Sequence, residues 1–147
     1  MPKTIIGVDL NKAPKDQDPP VHNRWHPDIP PVVGVKPGDD FRVEALDWTG
    51  GQIRNDDSAN DIRDCDLFPC HHLFGPIDVA GAEPGDILVV DILDIGALRG
   101  NEWGYTGIFS TQNGGGFLTD LYPDPRKAIW DFHGIYTTSR HIPGLLF

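Results

Sequence analysis

The sequence predicts a mainly β domain, a sandwich or barrel built from short strands and tight turns. Two observations carry that expectation. A Pro-Gly-Asp element occurs twice, as GVKPGD at 34–39 and GAEPGD at 81–86, with ALD at 45–47 and ILD at 92–94 following at the same offset. Proline presets the first central position of a turn and glycine tolerates positive φ at the second, so each Pro-Gly marks a type II turn between strands. In addition, 17 glycines and 14 prolines punctuate the 147 residues. That is a turn-rich but not disordered proportion, because apolar residues stay plentiful between them. One domain with a single core fits the length.

Taken in order, residues 4–10 hold Ile5, Ile6 and Val8 and read as a short strand. Residues 11–31 carry prolines at 14, 19, 20, 27, 30 and 31, which exclude a helix or a central strand. That connection also holds His22, Arg24, Trp25 and His26. A bulky aromatic such as Trp25 is expected to pin it to the core. After the first repeat turn, Phe41, Val43 and Ala45 alternate with polar residues, as on a half-buried strand. Ser58 and Asp61 have capping-box spacing, so residues 59–64 read as a helical turn. After the second repeat turn, residues 87–90 are continuously apolar, the pattern of a strand covered on both faces. Residues 95–111 are mixed, and 129–133, IWDFH, read as a strand. The chain ends in Leu-Leu-Phe, an apolar end that calls for a partner and suggests that the sequence stops partway through a larger protein.

Charge and cysteine content narrow the functional classes. A net charge of −10 argues against nucleic acid and anionic membrane as partners. No window is apolar enough for a membrane helix, and no secretory signal is evident. The two cysteines, Cys65 and Cys70, are too few for a disulfide framework, so the cytoplasm is the expected compartment.

The chemistry concentrates between residues 47 and 94. Residues 50–57 pack Gly50-Gly51, Gln52, Arg54, Asn55, Asp56 and Asp57 together, and His71-His72 precede the second repeat. Asp56 and Asp57 are candidates for a base or a metal ligand, or else a solvated turn. His71 is the better candidate of the imidazole pair for a ligand or proton shuttle, its neighbour being packed or solvated. Gln112-Asn113-Gly114-Gly115-Gly116 leaves amide N–H groups unshielded, which suits an anion or a developing oxyanion, or is simply a tight loop. No Gly-Lys-Ser/Thr follows, so it is not a phosphate-binding P-loop. Cys65, Cys70, His71 and His72 could form a zinc cluster, but adjacent His side chains on a strand point oppositely and the second ligand pair is missing.

The stretches TIIGVDLN, PVHNRWHPDIP, PGDDFRVEALDWTGGQIRNDDSA, DLFPCHHLFGPIDVAGAEPGDILVVDILDIGA, QNGGGFLTD and IWDFHGIYTTSRHIPG resemble the N-terminal part of the acetamidase/formamidase family, with the longer formamidase branch as the nearer pattern. The resemblance covers nearly all of the chain and is densest at 50–57, 75–86 and 112–120. It implies a β-sandwich or jelly-roll fold with short helical turns, in which 1–147 is the N-terminal β-rich portion and the C-terminal remainder is absent. It further implies a cytoplasmic, oligomeric enzyme hydrolysing short aliphatic amides, formamide first, to carboxylate and ammonia. The partners implied are the small amide, other copies of the chain or the missing C-terminal half. Amide cleavage needs an activated water, a stabilised oxyanion and a proton for ammonia. Asp56, Asp57 and His71 are the candidates for catalysis, and Gln52, Asn55, Asn113, Gly114 and Gly115 for substrate binding. A divalent metal such as zinc, held by His71 or Asp57, is compatible with that chemistry. Phe74 departs from the family pattern, which has Ser or Thr just before Gly-Pro. That departure keeps two alternatives open: a noncatalytic β-sandwich binding module on an amidase scaffold, and a metal-binding protein using Cys65, Cys70, His71 and His72.

Overall fold

The computed structural model describes residues 2–147 and is mainly β. Its strands are β1 (Lys3–Ile6), β2 (Val33–Val35), β3 (Phe41–Val43), β4 (Ile77–Val79), β5 (Trp103–Ile108), β6 (Arg126–His133) and β7 (Tyr136–Ser139), with one helical turn, α1 (Asn60–Arg63). The chain divides into two compact units. The first runs to Gly51 and resumes over Leu67–Ile95; the second comprises Gln52–Asp66 and Gly96–Phe147.

In the first unit β1 pairs in parallel with β3, and β2 pairs in parallel with β4. The two Pro-Gly turns close in the same way. Asp39 N–H donates to Lys36 O at 3.1 Å with Gly38 at φ +86°, and Asp86 N–H donates to Glu83 O at 3.0 Å with Gly85 at φ +105°. In each copy the aspartate carboxylate also accepts the N–H of the first turn residue, at 2.8 Å and 2.9 Å. The repeat is therefore a real structural unit up to the turn. Beyond the second turn it fails: residues 87–90 join no sheet among the described residues and are exposed rather than covered on both faces. Apolar sequence supplies strand propensity, but a strand exists only where a neighbour completes its ladder.

The proline-studded connection docks by its backbone and an amide, not by its tryptophan. His22 and Leu73 exchange backbone hydrogen bonds, and Asn23 Nδ2 donates to Phe68 O at 2.8 Å. Trp25 points outward at 90% exposure, against the expectation that it pins the loop. Gln17 does that work further upstream: it is buried, accepts the Asp9 N–H and donates to Asp9 O and Lys12 O. A buried amide so matched carries little desolvation penalty.

The second unit is an antiparallel meander, β5-β6-β7, in which Trp103 pairs with Asp131 and Trp130 with Ser139. Helical turn α1 seats on it through Ile62, which is fully buried. Its Cδ1 would lie 2.7 Å from a Cβ at Gly107, so glycine in β5 is what admits the isoleucine. The predicted capping box is absent. Ala59 is the N-cap, and Asp61 instead accepts the Arg54 N–H and the Lys127 ammonium through Oδ2.

Candidate functional site

Of the predicted site residues, Gln52, Asn55, Asp56, Asp57, Asn113, Gly114 and Gly115 belong to the second unit and His71 to the first. In the first unit the Asp47 side chain organises a turn. Its Oδ2 accepts the Thr49 N–H at 3.0 Å and the Thr49 hydroxyl at 2.6 Å, and its Oδ1 accepts the Gly51 N–H at 2.6 Å. That turn presents Trp48, whose ring stacks on His71 with centroids 5.0 Å apart and planes at 27°. It also bends through Gly50, at φ +73°, which lies directly under the His72 ring. His72 Nε2 is buried there without a hydrogen-bond partner, so His72 is the packed member of the pair, while His71 carries the aromatic contact.

In the second unit the acidic loop is held from below by a buried cation. Lys127, on β6, has a side chain only 1% exposed. It donates to Arg54 O at 3.0 Å, Asp56 Oδ1 at 2.8 Å and Asp61 Oδ2 at 2.7 Å. The Lys127 hydrogen bond, with the Ser58 N–H second, holds the Asp56 carboxyl below the ordinary carboxylate value. Asp56 is thereby committed to an ion pair and is a poor proton acceptor.

Asp57 is the opposite case. Its side chain is 80% exposed, and one oxygen, Oδ1, receives Arg140 Nε and His141 Nε2, each at 3.2 Å. His141 Nδ1 accepts the Ile129 N–H at 3.0 Å, which fixes the neutral ring as the Nε2–H tautomer and leaves Nε2 as the nitrogen beside Asp57. Arg140 also donates to Asn55 Oδ1 at 2.5 Å and lies 3.9 Å from Asp131. The result is a carboxylate oriented through one oxygen, with the other meeting no donor among the described residues. Such an arrangement can accept a proton from, or orient, a water molecule. Lys127, Arg140 and His141 were not singled out from the sequence. The Arg140-His141 pair just after a strand is the signal that points to two of them, and nothing local marks Lys127.

The amide-bearing candidates are occupied within the fold. Gln52 makes two hydrogen bonds with the backbone of Asp66, closing the 52–66 loop. Asn113 Nδ2 donates to the carbonyls of Ile62, Arg63 and Cys65 and so caps the end of α1. The N–H groups of Asn113 and Gly115 donate to Ser110 O and that of Gly114 to Thr111 O, so these three amides are engaged inside the loop instead of facing an oxyanion. The glycines serve the turn: Gly114 and Gly115 take φ +78° and +64°.

Cys65 is buried in the second unit and Cys70 is half-buried in the first. Among the described residues no group of three or more His, Cys, Asp or Glu side chains is placed to hold a metal ion. The Cys65/Cys70/His71/His72 cluster is therefore not formed: Cys65 belongs to the second unit, His71 stacks on Trp48, and the His72 ring is packed over Gly50. His71 and Asp57 each have partners within the protein, so neither stands in a ready ligand set.

The profile of the Acetamidase/Formamidase family matches residues 7–147. A formamidase of Methylophilus methylotrophus is 63% identical over 141 residues, covering 96% of this chain and 35% of its own length. An acetamidase of Mycolicibacterium smegmatis is 60% identical, covering all of this chain and 38% of its own length. Among solved structures, the γ-lactamase from Delftia acidovorans superposes with a TM-score of 0.95 at 61% identity, over 99% of this chain and 35% of that one. The chain thus spans little more than a third of the length of the relatives it matches. With the match running over almost every residue, this chain belongs to the acetamidase/formamidase family.

Proposed function

We propose that this chain is the N-terminal part of a hydrolase that cleaves short aliphatic amides, formamide foremost, to the carboxylate and ammonia. The observation that carries the reading is the similarity to proteins named formamidase and acetamidase at 63% and 60% identity. The oriented carboxylate of Asp57 supplies chemistry that fits it.

In this reading Asp57 takes a proton from water as the water oxygen attacks the amide carbonyl. Arg140 and His141 hold the carboxylate at Oδ1 and leave the second oxygen for the water. The C–N bond then breaks and the nitrogen leaves as ammonia after receiving a proton, and His71 is kept as a candidate for catalysis within its own unit. Asp56 supports the loop through Lys127 and takes no proton. Asn55 positions Arg140. The oxyanion calls for donors other than the 113–115 amides, which are engaged in their own loop. A divalent metal such as zinc would polarise the carbonyl or activate the water, with Asp57 or His71 as the residues of this chain nearest to that chemistry. A cytoplasmic, oligomeric β-sandwich enzyme is part of the same reading. Its cytoplasmic part is supported by the acidic composition and by cysteines too few for a disulfide framework, and no helix among the described residues is long and apolar enough to cross a membrane.

The test is ammonia release from formamide, acetamide, propionamide and a γ-lactam, measured on a full-length family chain carrying this sequence. Ammonia from formamide faster than from the longer amides is expected, with His71→Ala lowering turnover by more than about a hundredfold. Full activity in the His71 variant removes it from the mechanism, and no ammonia from any of the four compounds overturns the amidase reading.

A further inference from the structure

Residues 87–95 read ILVVDILDI, interrupted only by Asp91 and Asp94. All seven apolar side chains are exposed, from 63% at Leu88 to 91% at Ile87. Because neighbours in sequence point to opposite faces of an extended chain, exposure of every residue from 87 to 90 means that both faces are bare. The Ile and Val content is that of a strand, yet the segment belongs to no sheet among the described residues. No hydrogen bond joins its backbone to another described residue. A bare apolar strand of this length is an aggregation hazard, so a native protein covers it.

We propose that residues 87–95 form an inner β-strand whose ladder partners and covering faces come from the part of an acetamidase/formamidase chain that lies beyond the third spanned here. Three observations select that occupant. The γ-lactamase follows the same backbone path over 99% of this chain within a polypeptide of which it is only 35%, so about two thirds of that chain remains to cover the segment. A run apolar on both faces is the signature of a strand buried inside a sheet, not of an edge that meets a transient partner. Finally, a second copy pairing strand on strand with this segment would set Asp91 and Asp94 against the same two residues, which like-charge repulsion opposes here while leaving other surfaces open to oligomer contacts. The inference rests on membership of the family and not on the amidase reading, and it is measured by protection and assembly, not by ammonia.

The experiment joins this chain to the remaining residues of the formamidase relative and compares amide hydrogen exchange at 87–95 in the fusion and in this chain alone. Exchange slowed by about a hundredfold or more in the monomeric fusion is expected. Equal exchange in the two, or protection that disappears on dilution to a monomer, overturns the proposal in favour of a free segment or a second copy. A second arm co-expresses this chain, tagged, with the remainder as a separate polypeptide. Recovery of the remainder with the tag, lost in Val90→Pro but kept in Trp25→Ser, supports the proposal. Failure of the unaltered chain to recover a soluble remainder, or recovery untouched by Val90→Pro, overturns it even where the fusion does not fold.

Discussion

His141 Nε2 lies 3.2 Å from Asp57 Oδ1, while the other nitrogen of the same ring accepts the Ile129 N–H at 3.0 Å. A strand backbone thus dictates which tautomer of the imidazole faces the carboxylate. Asp57 and Asp56 are adjacent in sequence, yet Asp57 is 80% exposed against 49% for Asp56, because the buried Lys127 ammonium takes Asp56.

This difference makes the two carboxylates separable. In a full-length family chain, Asp57→Asn is expected to lower kcat for formamide by about a hundredfold or more, the effect of losing a positioned base. Asp56→Asn should stay within about tenfold of the parent, the difference reflecting loop position alone. Steady-state ammonia release from both variants checks the ordering. Equal losses would place both residues in the mechanism.

Acid titration addresses Asp56 directly. Its folded carboxyl is depressed below the ordinary value of 3.8, mainly by the Lys127 hydrogen bond. A depressed carboxyl contributes stability that is present above 3.8 and lost as the pH falls through the folded value. Thermal melts from pH 7 down to pH 2 should therefore show a smaller acid loss in Asp56→Asn than in the parent. An unchanged acid slope would show that the Lys127 contact carries no linkage. Lys127→Ala should be harsher at neutral pH, by about 3 kcal/mol or more, since it leaves the largely buried Asp61 without its cation.

Ile62 and Gly107 form a lock between α1 and β5. Ile62→Ala should destabilise by about 2–5 kcal/mol, as truncation leaves a cavity at a fully buried site. Gly107→Ala should also destabilise, because its new Cβ would meet Ile62 Cδ1 at 2.7 Å. The double variant Ile62→Ala with Gly107→Ala should lose less than the sum of the two single losses. Denaturant unfolding of the four proteins measures the coupling, and strict additivity would show that the two side chains do not compete for one space.

Gly50 and Gly51 look alike in sequence and differ in what lies above them. Gly51→Ala should cost about 1–2 kcal/mol from its left-handed backbone alone, as no atom lies within 4 Å of the new Cβ. Gly50→Ala should cost more, since its Cβ would meet the His72 ring and Pro14. Imidazole NMR signals of His72 should shift in the Gly50 variant and stay in place in the Gly51 variant.

Local chemistry was legible in the residues themselves. The Pro-Gly turns, the strands read at 4–10 and 129–133 and found at 3–6 and 126–133, the helical turn near 60 and the mainly β class all follow from short-range rules that act within a few positions. Recognition of the NDDSA and HHLFGPIDVAGAEPGD stretches placed the family. The tertiary structure decided which polar group each element meets: Lys127 takes Asp56, Arg140 and His141 take one oxygen of Asp57, and Asn113 caps a helical turn instead of binding a ligand. It also left residues 87–95 without a ladder. Hydrogen-bond partners and strand neighbours are set by residues far along the chain, and a side chain's own identity does not encode which of them will arrive.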